Sequence, residues 1–316
     1  MGIVGQLNQV AANTQFENMA NEIFNRRPDS AWTAFSKVID IGGQSMELDA
    51  IGPSPAVRKM TGNRRFTSLR AYAKSTPSVE YSADGLEIER NAVLNDKSGN
   101  LTMRLSDYLA STGDFFEKPV IDFYLSNPTC IDGSALFSTT HPYGNAGATW
   151  SNKTTDALSQ TSLEAGNVAM RGFRFENGEP AGFRPTHLVV GPALEREARD
   201  LTGSNRMMPV DNVGAPDTAA SVVAATLIQN WIGGQLTVSV IDRLADGTHD
   251  NDWALMDLSK PNVRPIVVGQ AIAPAGVVVD SPTSSGMVQR AVFQYYVSAN
   301  AALSGYAPQC IYGKMT

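Results

Sequence analysis

The stretch from Gly133 to Leu201 constrains the fold more than any other part of the chain, because helix-start, turn and stop signals follow one another there with little slack. Thr161 with Glu164 three residues on fits a capping box, in which the threonine oxygen and the glutamate carboxylate each satisfy a free amide at a helix start. The spacing predicts a helix from about Ser162 to Phe173, with Leu163, Val168, Ala169 and Phe173 as its apolar side. Asn177-Gly178 is a turn signal, since both residues tolerate positive φ. Thr186 to Val190 reads as a short buried strand stopped by Gly191, and Pro192 follows where a first helical residue needs no amide donor. A second helix is predicted over Ala193 to Leu201.

The rest of the chain divides by pattern. From Leu7 to Phe24 the apolar residues, Phe16 and Phe24 among them, fall mainly three and four apart, which predicts a narrow amphipathic helix, either an arm or a surface helix of its own domain. Between Arg58 and Arg90 the charge splits. Arg58, Lys59, Arg64, Arg65, Arg70 and Lys74 crowd the first half, and Glu80, Asp84, Glu87 and Glu89 the second. Alternation in Arg70–Lys74, Val79–Tyr81 and Leu86–Glu89 favours strands, with Pro77 or Asp84-Gly85 as turns, so the segment reads as a projecting two-stranded hairpin. Such a hairpin is marginal alone and needs a partner. Its charged halves can pair within the hairpin or across subunits, where complementary charge sets register.

Leu101 to Asn127 carries a helical apolar stripe that Pro119 must interrupt, giving two helical pieces on one axis. After Leu201 a long loop of turn formers holds Arg206, Met207 and Met208. Thr226–Trp231, Leu236–Ile241 and Trp253–Met256 then read as elements of one mixed sheet. Ile266–Val268, Val277–Val279 and Val288–Ala302 read as β, and the closing strands are expected to return to the first domain.

Chemistry finds little footing. Of the three histidines, His141 reads as a turn-stabilising loop residue and His187 as a satisfied core or edge histidine. His249-Asp250-Asn251-Asp252 lacks the glycine and distal glutamate of a calcium loop. No group of residues has zinc-ligand spacing, and no nucleophile elbow, phosphate loop or dinucleotide fingerprint occurs, so neither an enzyme, a metal nor a cofactor is expected. Cys130 and Cys310 lie far apart and read as buried reduced thiols. No segment reaches the ~20 apolar residues of a membrane span. A net charge of −6 opposes general nucleic-acid binding, which needs a positive field. With 316 residues the chain can bury roughly three quarters of its unfolded surface.

The sequences Leu136–Pro142 (LFSTTHP), Leu158–Met170 (LSQTSLEAGNVAM) and Arg184–Ala198 (RPTHLVVGPALEREA) resemble, in order and wording, the major head subunit family of Mu-like tailed phages and prophages. Met60-Thr-Gly-Asn-Arg64 and Ala307–Tyr312 continue the likeness in register. Met60 stands where that family carries an aromatic, and Asn95-Asp96 where it carries paired acids. The resemblance implies an α+β, Hong Kong 97-like capsid fold. Its expected parts are an N-terminal arm with first strands (1–50), an extended loop (51–100), a peripheral domain with a long spine helix (101–180), an axial domain (181–265) and a return to the peripheral domain (266–316). It further implies a major capsid protein that self-assembles through pentamers and hexamers into an icosahedral shell around double-stranded DNA, in a virion built in the host bacterial cytoplasm. A separate scaffold protein, a portal and a decoration protein are the other partners it implies. The contact candidates are Arg58, Arg64, Arg65, Arg70, Lys74, Glu80, Glu87, Glu89, Phe16 and Phe24. A same-fold nanocompartment holding protein cargo is the alternative within this class, and a soluble enzyme with a scattered site the alternative outside it.

Overall fold

The computed structural model describes residues 31–49, 74–89, 103, 116–143, 148–175, 179–203, 205–208, 226–229, 232–279 and 292–316. In chain order its elements begin with α1 (Ala31–Phe35), β1 (Ser36–Asp40), β2 (Leu48–Asp49), β3 (Lys74–Ser75), β4 (Glu80–Glu89) and α2 (Glu117–Leu125). They continue with β5 (His141–Pro142), β6 (Thr149–Trp150), α3 (Gln160–Gly172), β7 (His187–Val190), α4 (Glu195–Thr202), β8 (Asn205–Met208) and β9 (Thr226–Gln229). The last are β10 (Thr237–Val240), β11 (Trp253–Met256), β12 (Ile266–Val279), β13 (Val292–Gly305) and β14 (Ile311–Lys314). The chain forms two compact units, each assembled from separate pieces: residues 1–47, 76–123 and 267–303 in the first, and 48–75, 124–266 and 304–316 in the second.

The first unit is organised by a four-stranded sheet in the order β1-β12-β13-β4. β12 and β13 are 14 residues each, and β4 pairs antiparallel with β13 from Val292 opposite Glu89 to Ala301 opposite Glu80. This corrects one of the two turns considered for the hairpin, whose basic half up to residue 73 lies outside the described residues. Asp84-Gly85 is no turn but mid-strand, facing Val297 and Tyr296, because the long partner strand supplies a continuous ladder that outweighs a local turn preference. The acidic half therefore pairs with the C-terminal region, while Lys74 lies in β3 opposite Asp49 of β2. Within this unit Trp32 and Phe116 meet edge to face at 6.2 Å, and Phe35, Val120, Ile121 and Val268 are each buried. Pro119 falls in the first turn of α2, where no intrahelical amide is needed, so this helix starts at the proline instead of bending around it. The preceding helical piece lies outside the described residues.

The second unit holds a mixed four-stranded sheet, β10-β7-β11-β14. β10 runs parallel to β7, and β11 runs antiparallel to both β7 and β14. β7 is an unbroken apolar run because, as an inner strand, it is covered on both faces; Leu188, Val189 and Val190 are all buried. β9 does not join this sheet as predicted but pairs with β8, so the two form a ribbon of their own. α3 packs on β11 and β14 at Gly166, where an added Cβ would come within 2.8 Å of both Leu255 and Tyr312. Trp150, Leu163, Met170, Phe173, Leu188 and Leu255 belong to one core cluster, which joins parts expected in separate peripheral (101–180) and axial (181–265) domains. Nor do residues 266–316 stay together: 304–316 leave the long-stranded unit, and β14 closes the second sheet.

Two local readings of α3 also change. Its N-cap is Ser159, whose hydroxyl accepts from the Ser162 amide at 3.1 Å while the Ser162 hydroxyl accepts from the Ser159 amide at 2.9 Å. Glu164 instead accepts from the Gln160 side chain. The helix starts two residues earlier than predicted, and its buried side holds Leu163, Asn167 and Met170 while Val168, expected on the apolar side, is 71% exposed. The Asn177-Gly178 turn lies outside the described residues, although Phe175 donates to Glu179 across it. Pro192 opens a 3-10 turn that runs into α4, close to the predicted start.

Candidate assembly surfaces

Among the described residues β4 is the outer strand of its sheet, with a ladder partner on one side only. Its ten residues carry Glu80, Asp84, Glu87 and Glu89 and no lysine or arginine. Glu80, Glu87 and Glu89 are exposed. Directly across the ladder stand Ala301, Gln294 and Val292, none of them charged. Three sequence candidates are thus gathered on one acidic edge. Lys74 is on a different strand, and Arg58, Arg64, Arg65, Arg70, Phe16 and Phe24 lie outside the described residues.

Sequence reasoning missed a cationic face on the second unit, built from Arg184, Lys260 and Arg264. The buried carboxylate of Asp257 organises it: one oxygen accepts the Arg184 amide at 3.0 Å, and the other accepts the amide and hydroxyl of Ser259. That ties the segment before β7 to the turn after β11. The Lys260 ammonium lies 3.8 Å above the Phe183 ring and donates to the Ala181 carbonyl. Arg264 donates through Nη1 to the carbonyls of Lys260, at 2.7 Å, and Val263. Among the described residues none of the three cations has a carboxylate partner. His187 sits beside them, bonded through Nδ1 to Thr186 Oγ1 at 2.9 Å. Partial burial, and then the charge of Arg264, hold its ring below the usual histidine range. Nothing in the sequence pointed to this face, because Arg184 and Lys260 are remote in the chain and meet only through the sheet.

The groups that could suggest chemistry are spent on structure. His141 is a fully buried strand residue and not, as expected, part of a loop: Nδ1 meets Asp132 at 2.7 Å, Nε2 meets Asn152 Oδ1 at 3.1 Å, and the ring stacks on Trp150. Asn152 also donates to the carbonyls of Leu136 and Pro308. Both cysteines are free and buried, and burial pushes both thiols well above the ordinary range. His249 is tied to Asp246 at 2.8 Å, and the bonds from His249, backbone and side chain, together with the Thr248 amide hold that exposed carboxyl down at about 2. No group of three metal-ligating side chains occurs among the described residues. No helix among them is long and apolar enough to cross a membrane.

Comparison with known proteins gives a consistent result. A phage capsid protein family model matches residues 73–312. No curated protein matches the chain. The procapsid of bacteriophage JBD30 contains a subunit 13% identical, aligned over 97% of this chain and 74% of that one with a TM-score of 0.54. A structure from Microbacterium phage Oxtober96 is 13% identical over 92% of each chain, with a TM-score of 0.51. The virus-like particle from Pyrococcus furiosus is 12% identical over 95% of this chain and 98% of that one, with a TM-score of 0.51. At these identities the likenesses establish a shared α+β, Hong Kong 97-like fold.

Proposed function

Since this chain belongs to the phage capsid protein family, we propose that it works as the major head subunit of a Mu-like phage or prophage, tiling an icosahedral shell around double-stranded DNA. Its place is the virion capsid, and its role is structural, not enzymatic. The observation that carries this reading is the family match across residues 73–312, which takes in most of both compact units. Its mechanism is association: each copy offers unlike surfaces to successive neighbours, giving rings that close and a shell made of rings. Many modest contacts then hold the assembly through effective concentration. A scaffold, a portal and a decoration protein are its further partners in this proposal. The JBD30 relative is described as forming a procapsid, which fits a subunit that assembles before maturation.

The contact segments we assign are the basic run holding Arg58, Arg64, Arg65, Arg70 and Lys74, the acidic strand with Glu80, Glu87 and Glu89, and the arm with Phe16 and Phe24. Negative-stain electron microscopy of the purified protein is the test: hollow shells, or discrete pentamers and hexamers, are expected, and a clean monomer in the presence of a scaffold would reject the reading. The double variant R64E/R65E is expected to stay a folded monomer that forms no shells; normal particles from it would remove the basic run from the contacts. A second reading, a nanocompartment holding protein cargo, draws on the likeness to the Pyrococcus furiosus particle. Protein in place of DNA inside native particles would favour it.

A further inference from the structure

We propose that opposite ends of the second unit's sheet bind one another in successive copies of this chain: Arg184, Lys260 and Arg264 at one end meet the aspartates of the 242–250 loop at the other. This rests on the shell reading above and names one contact by which its rings close. The topology separates the two ends. β11 runs antiparallel to β7, with Met256 opposite His187 and Trp253 opposite Val190. The residues entering β7 and those leaving β11 therefore share one end of the sheet. The loop joining β10 to β11 lies at the other end, where Ile241 donates to the Val190 carbonyl. Residues 181–187 and 257–264 carry three cations against one carboxylate, Asp257, a net of +2. Residues 242–250 carry Asp242, Asp246 and Asp250 against one cation, Arg243, a net of −2 with His249 neutral. A four-residue strand keeps the ends at least about 10 Å apart, so within one copy they do not meet.

Both ends are held ready by the fold. Arg264 spends Nη1 on backbone carbonyls, which leaves Nε and Nη2 without a partner among the described residues. Those two nitrogens form the planar edge with which a guanidinium grips a carboxylate through paired bonds. Lys260 is pinned over Phe183, and the exposed Arg184 side chain makes no hydrogen bond or ion pair among the described residues. At the acidic end the loop closes on itself: Asp246 Oδ1 accepts the amides of Thr248 and His249, and Asp250 Oδ1 accepts that of Gly247. Leu244 is buried beneath it, where a Cβ on Gly191 would come within 3.0 Å. The exposed Asp242 carboxylate and Asp250 Oδ2 have no partner among the described residues. Copies of net charge −6 repel at long range, so their association needs places where opposite charges meet locally, and the same net charge disfavours a phosphate backbone as the partner. Contact between two unlike ends is head to tail, the type that builds rings.

A charge-swap series tests this. R184E/K260E and D242K/D250K are each expected to give folded protein by circular dichroism and thermal melting. Each should reduce the shell yield in sedimentation and electron microscopy by roughly tenfold or more. The variant combining all four changes is expected to recover shells. Normal assembly by either double variant, or no recovery in the combined one, would overturn the pairing while wild-type shells leave the shell reading intact. If R184E/K260E assembles normally but retains less DNA, the cations meet a phosphate backbone instead, and the proposal also falls. Should a reversal prevent folding, R184Q/K260Q and D242N/D250N remove the charges and keep polar groups in place. Each is expected to fold and to assemble with a shallower dependence on salt than the wild type; an unchanged dependence would overturn the proposal. A wild-type protein that forms no shells in the presence of a scaffold would overturn the shell reading itself.

Discussion

Asn152 shows how a single buried side chain can hold several segments at once. Its amide donates to Leu136 and Pro308, and its oxygen accepts from the Ser138 amide and lies 3.1 Å from His141 Nε2. Asn152→Ala leaves two carbonyls, an amide and a ring nitrogen without that partner in a dry site, so a loss of about 3 kcal/mol or more in urea unfolding is expected. His187 supplies the pH dependence at this scale. Its folded-state pKa lies below the unfolded one, through burial first and the Arg264 charge second, so the unfolded chain takes up the proton first as pH falls. Stability is accordingly full above about pH 6.5 and declines as the solution is acidified. Denaturant midpoints measured at pH 8 and pH 5.5 should differ less in His187→Gln than in the wild type. Satisfied histidines and buried thiols were legible in the sequence as residue types, but the partners of His141 were not, because they depend on which loops the sheet brings together.

At the level of elements, what could be read was what is encoded locally. The run His187-Leu-Val-Val190 and the Gly191-Pro192 stop specify β7 and the start of α4 from neighbouring residues alone, and both stand close to where they were expected. α3 was found but misplaced by two residues, because two overlapping cap signals compete. Ser159 with Ser162 wins over Thr161 with Glu164, and the helix buries Leu163 and Met170. Ser159→Ala is therefore expected to cost about 1 kcal/mol in thermal or chemical unfolding, and Thr161→Ala, at an exposed first-turn position, close to nothing. The Asp84-Gly85 turn failed for the opposite reason. A strand of 14 residues far along the chain outvotes a two-residue preference, and no local reading detects a partner some two hundred residues away.

For the whole molecule, the acidic strand was visible in the sequence as a cluster of charge, whereas the tie that Asp257 makes between Arg184 and the turn before Lys260 was not, since it forms only after folding. If opposite charges select the contacts between copies, assembly should respond to ionic strength. Shell yield is expected to fall as NaCl rises from 0.1 M, where the screening length is about 10 Å, toward 1 M, where it is about 3 Å, with the monomer still folded; light scattering across a salt series checks this. The division of the chain into interleaved pieces has a further consequence, for synthesis. Both compact units draw on residues beyond 266, the first through β12 and β13 and the second through β14. Neither sheet can close while the ribosome still holds that last stretch, so the nascent chain has no finished unit to offer. A product terminated before Ile266 lacks β12 and β13 from the first sheet and β14 from the second, so it is expected to complete neither unit.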